Sequence, residues 1–166
     1  SIKAFQKCIE IMPDYAEAHL NLGLCYLLVG DYENGWREYE WRRKLLKDSN
    51  DKLSKEWSGQ NLENKTLLVL DEGADGNLIH FIRLIRELKK ESCKVTVQCS
   101  EEAMPLIKNQ KWIDKAITAD EYPEHDFYIP IGSLMNVLNI TLIIMIKFSH
   151  ILKYIQIKQV KKTQIK

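Results

Sequence analysis

The chain has 166 residues, about one domain's worth at roughly 100–200 residues per domain. It is 45% hydrophobic, 28% charged and 9% aromatic, which excludes collagen, a disulfide scaffold and a wholly disordered chain. With 24 Lys plus Arg against 23 Asp plus Glu, the formal net charge of +1 points away from nucleic acid as a partner.

The charge is uneven. Residues 142–166 hold six Lys and no Asp or Glu, so residues 1–141 keep 18 basic and 23 acidic groups, a net of −5. Four cysteines, at 8, 25, 93 and 99, form no CxxC pair, and no His stands at metal-ligand spacing from them. They read as free thiols in a reducing compartment, which implies a cytoplasmic protein without a metal site. Ser1–Phe5 opens directly into an amphipathic pattern with no signal peptide and no initiator Met, so the chain reads as a piece of a longer protein.

Residues 1–48 read as helices. Ile2, Phe5, Ile9 and Met12 recur at helical steps, and Pro13-Asp14 ends that stripe. Asp14 and Glu17 predict a capping box for a second helix over 16–29. Gly30-Asp31 marks a turn, and a third helix is predicted from Tyr32 to about Leu46. Arg42-Arg43-Lys44 reads as its charged carboxyl end.

Within this stretch His19, Leu22, Gly23 and Tyr26, then Gly35 and Tyr39, follow the tetratricopeptide pattern, and Phe5 and Pro13 fit the preceding half-repeat. Phe5 and Tyr39 stand 34 residues apart, the length of that repeat. Residues 1–48 therefore resemble one and a half tetratricopeptide repeats, and an ordinary helical hairpin is the plainer alternative. Gly23 is expected where two helices cross closely. Such helices take protein partners in a groove, which Asn21 and Asn34 would face.

Residues 49–65 read as a polar linker anchored by Trp57. Beyond it the period changes. Thr66–Asp71 and Lys94–Cys99 are predicted strands, with shorter ones at 116–119 and 127–130. Leu78, Ile79, Ile82, Ile85 and Leu88 form a helical stripe, and residues 101–108 a short helix. The alternation is that of a helix-covered parallel sheet.

The loop Glu72-Gly73-Ala74-Asp75-Gly76-Asn77 follows the first strand and opens a helix. Ligands of parallel sheets bind at such carboxyl ends, and free N–H groups at a helix start favour anions. The place suits a phosphate or sugar-phosphate, although Glu72 and Asp75 would repel one; a plain tight turn is the competing reading. His80 follows in the helix, near the loop, as a further acceptor contact or a surface histidine.

Four ordered segments make a wider resemblance: Gly35–Arg42, Trp57–Leu62, Lys65–Leu70 with its acidic-Gly loop, and Asp126–Leu134. Together they look like bacterial tetratricopeptide proteins fused to a glycosyltransferase domain similar to the lipopolysaccharide heptosyltransferases. The resemblance implies an α plus α/β chain. Residues 1–48 would be tetratricopeptide helices, and 66–141 the amino-terminal, acceptor-side Rossmann-like half of a GT-B fold. It further implies transfer of a sugar from a nucleotide-sugar donor to a glycan or protein acceptor. The donor would bind in a carboxyl-terminal half, so this chain is expected to hold no cofactor and to be inactive alone. The family's proposed catalytic Asp falls at Asn77, whose amide can orient a hydroxyl but cannot deprotonate it; Asp75, two residues earlier, is the nearest substitute.

The tail 142–166 is Ile/Lys-rich and too short in apolar residues to span a bilayer. A basic helix in weak contact with a membrane surface and a non-native reading of an AT-rich gene both fit it. The rivals to the enzyme reading are a tetratricopeptide interaction module and a degraded gene product.

Overall fold

A computed structural model of the protein describes residues 1–46, 53–73, 75–88, 92–118 and 120–140. The readings made for Ala74, for the side chain of Asp75 and for the tail 142–166 lie outside them.

Four helices come first: α1 (Ile2–Ile11), α2 (Ala16–Val29), α3 (Tyr32–Tyr39) and α4 (Arg42–Leu45). Gly30 ends α2 in a left-handed conformation (φ 87°), and the Asp31 N–H turns back to the Tyr26 carbonyl at 2.9 Å. Asp31 then caps α3 by accepting from the Asn34 N–H at 3.3 Å. The capping box at Asp14 and Glu17 does not form. Tyr15 is the N-cap of α2 and uses no side chain, because the Pro13-Asp14 turn places Asp14 one position too early. Its carboxylate meets Lys44 Nζ at 3.1 Å instead.

The third predicted helix is also not continuous. Between Tyr39 and Arg42 the N–H groups of Glu40 and Trp41 bond three residues back, to Arg37 and Glu38, which tightens the chain. Trp41 then lies flat on the His19 ring at 3.7 Å.

Helices α2 and α3 meet backbone to backbone. A Cβ on Gly23 would stand 2.8 Å from the Tyr39 nitrogen and 3.0 Å from the Gly35 oxygen. One on Gly35 would stand 2.6 Å from Leu27 Cδ2. Both glycines are thus required by the close crossing anticipated at Gly23.

The remainder builds a parallel sheet of five strands: β1 (Lys55–Glu56), β2 (Thr66–Leu70), β3 (Lys94–Gln98), β4 (Lys115–Ile117) and β5 (Phe127–Pro130), in the order β1-β5-β2-β3-β4. Register runs Leu67 to Val95 and Leu68 to Tyr128. The edge strand β1 lies within the segment read as a linker. There the Trp57 N–H bonds the Tyr128 carbonyl at 2.8 Å, and the Trp57 ring is buried. Helix α5 (Asp75–Phe81), a 3₁₀ turn (Ile82–Leu84) and α6 (Ile85–Leu88) follow β2. Helix α7 (Met104–Ile107) follows β3, and a 3₁₀ turn (Ile131–Ser133) with α8 (Leu134–Val137) follows β5. The stripe 78–88 is thus interrupted by a 3₁₀ turn rather than forming one helix.

The molecule is a mixed fold of helices and a parallel sheet. The apolar run of β2 is buried on both faces, as a central parallel strand requires. Leu67, Val69, Val95, Val97 and Ile129 pack with the helices in the main core. Leu68, Leu70 and Ile117 pack on Leu53, Tyr122 and Tyr128 in a second cluster. Trp36 of α3 belongs to the main core: its ring meets Phe81 edge-on, and its Nε1 donates to the Ile140 carbonyl at 3.1 Å. Among the described residues, no helix is long and apolar enough to cross a membrane.

Candidate functional site

Strands β2 and β5 are neighbours, yet the chain leaves β2 toward β3 on its other side. Their carboxyl ends therefore flank the point where the strand order reverses, the place where parallel sheets form ligand crevices. The loop 72–77 issues from β2 there and the turn 131–133 from β5.

Arg42 of α4 sits between them. Its Nε donates to Glu72 Oε1 at 2.9 Å and its Nη2 to Glu72 Oε2 at 3.2 Å. Nη1 donates to Glu40 Oε1 at 2.9 Å and to the Tyr39 carbonyl at 3.3 Å. Nη2 also donates to Ser133 Oγ at 3.0 Å, and that hydroxyl donates to Glu40 Oε2 at 2.8 Å. The Gly132 N–H completes the set on Glu72 Oε2 at 2.7 Å. The Arg42 and Glu72 side chains are 8% and 6% exposed, so both charges are taken out of water and each is matched.

Arg42, Arg43 and Lys44 do stand in the last turn of a helix, but Arg42 is buried there rather than facing only the helix end. Lys44 stays at the surface, paired with Asp14 and over the Trp41 ring at 3.9 Å from its centroid. Arg43 holds Glu56 of β1 through two bonds, of 2.7 and 2.9 Å. Burial alone would lower the Arg42 pKa, but the charges and hydrogen bonds of Glu72 and Glu40 outweigh it and raise it. The Tyr39 ring lies 4.7 Å beneath the guanidinium. Burial pushes the Tyr39 hydroxyl up, and Glu72 and Glu40 add to that; Arg42 and a hydrogen bond from Asn77 act the other way.

The loop residues are therefore partly committed. Glu72 faces Arg42, whose guanidinium it shares with Glu40, so the set of one arginine and two glutamates keeps a net negative charge beside the loop. Gly73 has φ 75°, and its N–H bonds Asp71 Oδ1 at 3.2 Å. Asp75, Gly76 and Asn77 open α5, and a Cβ at Gly76 would meet nothing within 4 Å. His80 is exposed, with Arg83 Nη2 at 3.4 Å from its Nε2. Its pKa is lowered, chiefly by burial and further by Arg83.

The repeat-pattern residues converge elsewhere, in the α1–α3 packing. His19 is buried, its Nδ1 2.6 Å from Glu38 Oε2 and its Nε2 2.8 Å from the Pro13 carbonyl. Leu22 is buried, Phe5 half-buried, and the Tyr26 hydroxyl accepts from Gln6 Nε2 at 3.0 Å. Tyr39 alone touches both regions. His125 and Asp126 lie at the opposite, amino end of the sheet.

Glu40, Arg42 and Ser133 are the site residues that sequence reasoning missed. No sequence signal marks them, because Arg42 meets Glu72 and Ser133 across 30 and 91 residues. Among the described residues, the four cysteines form no disulfide, and no cluster of His, Cys, Asp or Glu could hold a metal. No protein-family model, curated protein or solved structure matches the chain.

Proposed function

We propose that the chain is the acceptor-side half of a GT-B-like glycosyltransferase with tetratricopeptide-type helices docked on it. The whole enzyme would pass a sugar from a nucleotide-sugar to a glycan or protein acceptor. The observation that supports this is the loop 72–77 at the carboxyl end of β2, beside β5, where the strand order reverses. Asn77 orients an acceptor hydroxyl but cannot take its proton, so the chain binds acceptor without turnover.

The test is an NMR titration of the whole chain with delipidated lipopolysaccharide core oligosaccharide, run beside a nucleotide-sugar transfer assay. Shifts are expected at residues 72–80 and 131–133, with no turnover. Absence of those shifts refutes the acceptor role, and steady turnover refutes the inactive state.

A second reading, a protein-interaction module, draws on apolar side chains left in solvent on the first two helices, among them Ile11 at 70% and Leu28 at 86% exposure. The asparagines expected to face its groove are engaged locally. Asn21 bonds the Glu17 carbonyl at 2.7 Å, and Asn34 bonds Asp31 Oδ2 at 2.7 Å. A pull-down partner retained after deletion of residues 66–141 would favour this reading.

A further inference from the structure

We infer that the helical segment is a working part of the loop site: Arg42 is a positioning residue that sets the loop after β2 and the turn after β5 against each other, so that binding at residues 72–77 requires α3 and α4 in place. This rests on the acceptor reading of that loop.

The geometry joins three separate stretches of chain through one planar group. Arg42 reaches Glu72, at the start of the loop, with two nitrogens. It reaches Ser133, in the turn after β5, with one of them, and its remaining nitrogen stays on its own segment at Glu40 and Tyr39. Glu72 is in turn held by the Gly132 N–H, so loop and turn also meet directly. The three groups pack closely. A Cβ on Gly132 would stand 2.7 Å from Glu72 Oε2 and 2.8 Å from Arg42 Nη2. A lysine is a point charge without the fork that spans these partners, so it cannot replace the arginine.

Arg43 supplies the matched comparison. It comes from the same helix and grips a glutamate with two bonds, but it is 37% exposed and ends on the edge strand β1, away from the loop. If α4 merely glued helices to sheet, the two arginines would be equivalent. The positioning role makes them different.

The experiment compares the full chain with its Arg42→Lys and Arg43→Lys variants by amide hydrogen exchange and by titration with the core oligosaccharide. Arg42→Lys is expected to speed exchange at 73, 76–78 and 132–133 by about 10-fold or more. Protection in α2 and β3 should stay within about 2-fold, and oligosaccharide affinity should fall about 10-fold. Arg43→Lys should leave loop exchange and affinity within about 2-fold. Ser133→Ala, a gentler variant that frees Arg42 from the turn, should speed exchange at 131–133 and, through Arg42, by about 3-fold at 73 and 76–78, and covers the case in which Arg42→Lys does not fold. Loop exchange that is unchanged in both Arg42→Lys and Ser133→Ala, or acceleration spread evenly over every element, overturns the inference. Wild-type protein that binds no oligosaccharide refutes the acceptor reading, while the exchange pattern, recorded without sugar, still decides whether Arg42 positions the loop.

Discussion

Strands β2 and β5 are tied by polar joints at both ends, and the two joints are built differently. At the carboxyl end Arg42, Glu72, Gly132 and Ser133 form a buried set in which each charge faces a partner. At the amino end Asp126 accepts from the Thr66 N–H and hydroxyl, both at 2.9 Å, and from Lys65 Nζ at 3.2 Å. There the Asp126 and Lys65 side chains are 38% and 47% exposed. Water can replace any partner lost at the amino end, whereas at the carboxyl end nothing can. The difference makes the carboxyl end the rigid one, and that is the end that carries the candidate loop.

The largest effect should come from breaking the buried joint. Arg42→Met leaves Glu72 without its counter-charge and should cost about 3–5 kcal/mol, the usual penalty for one orphaned partner of a buried ion pair. At roughly 2–4 °C per kcal/mol for a chain of this size, thermal unfolding should fall by about 10 °C. The double variant Arg42→Met with Glu72→Leu should recover part of that, since it removes the buried Glu72 charge while Glu40, 22% exposed, still loses its partner. A double variant no more stable than the single one would show that the lost stability has another source.

Next in size is Gly132→Ala, which forces a methyl group against the same ion pair and should cost about 1–3 kcal/mol in urea unfolding. Gly76→Ala supplies the contrast. It lies in α5 with open space around it and should be neutral or stabilise by roughly 0.5–1 kcal/mol, through a stiffer unfolded chain. Equal destabilisation by the two substitutions would contradict the tight packing ascribed to Gly132.

How much of this was legible in the sequence depended on the range of the interaction. Thr66–Leu70 is an apolar run and Lys94–Gln98 a β-branched segment with two inward valines, so those strands could be read locally. Strand β1 could not, because Lys55–Glu56 is two charged residues whose only reason to extend is the exposed edge of β5. The glycine crossing was legible, since Gly23 and Gly35 lie in one hairpin. Arg42 was illegible for the opposite reason: its partners stand 30 and 91 residues away, and no periodicity carries that information. Its run of three cations read as one charged helix end, whereas the three side chains take different partners. The loop was placed correctly after β2, but the cation that Glu72 shares with Glu40 was not visible, because it comes from the helical segment.

The smallest effect belongs to the amino end, and pH exposes it. The Asp126 carboxyl lies below its ordinary value of 3.8, first because of the Thr66 N–H, then through the Thr66 hydroxyl and Lys65. A group whose folded pKa is depressed stabilises the fold above its unfolded pKa and loses that contribution as pH falls through the folded value. Asp126 should therefore contribute fully at neutral pH and lose its contribution only below about pH 4. Asp126→Asn removes the charge at every pH, so its urea midpoint should lie slightly below that of the wild type at pH 7 and converge with it in acid. Because this joint is exposed, molar salt should shrink the difference at pH 7 as well. The penalty of Arg42→Met should persist in the same salt, since Glu72 is shielded from ions by burial. If salt erased both differences, the two ends of the sheet would be electrostatically alike and the contrast between them would fail.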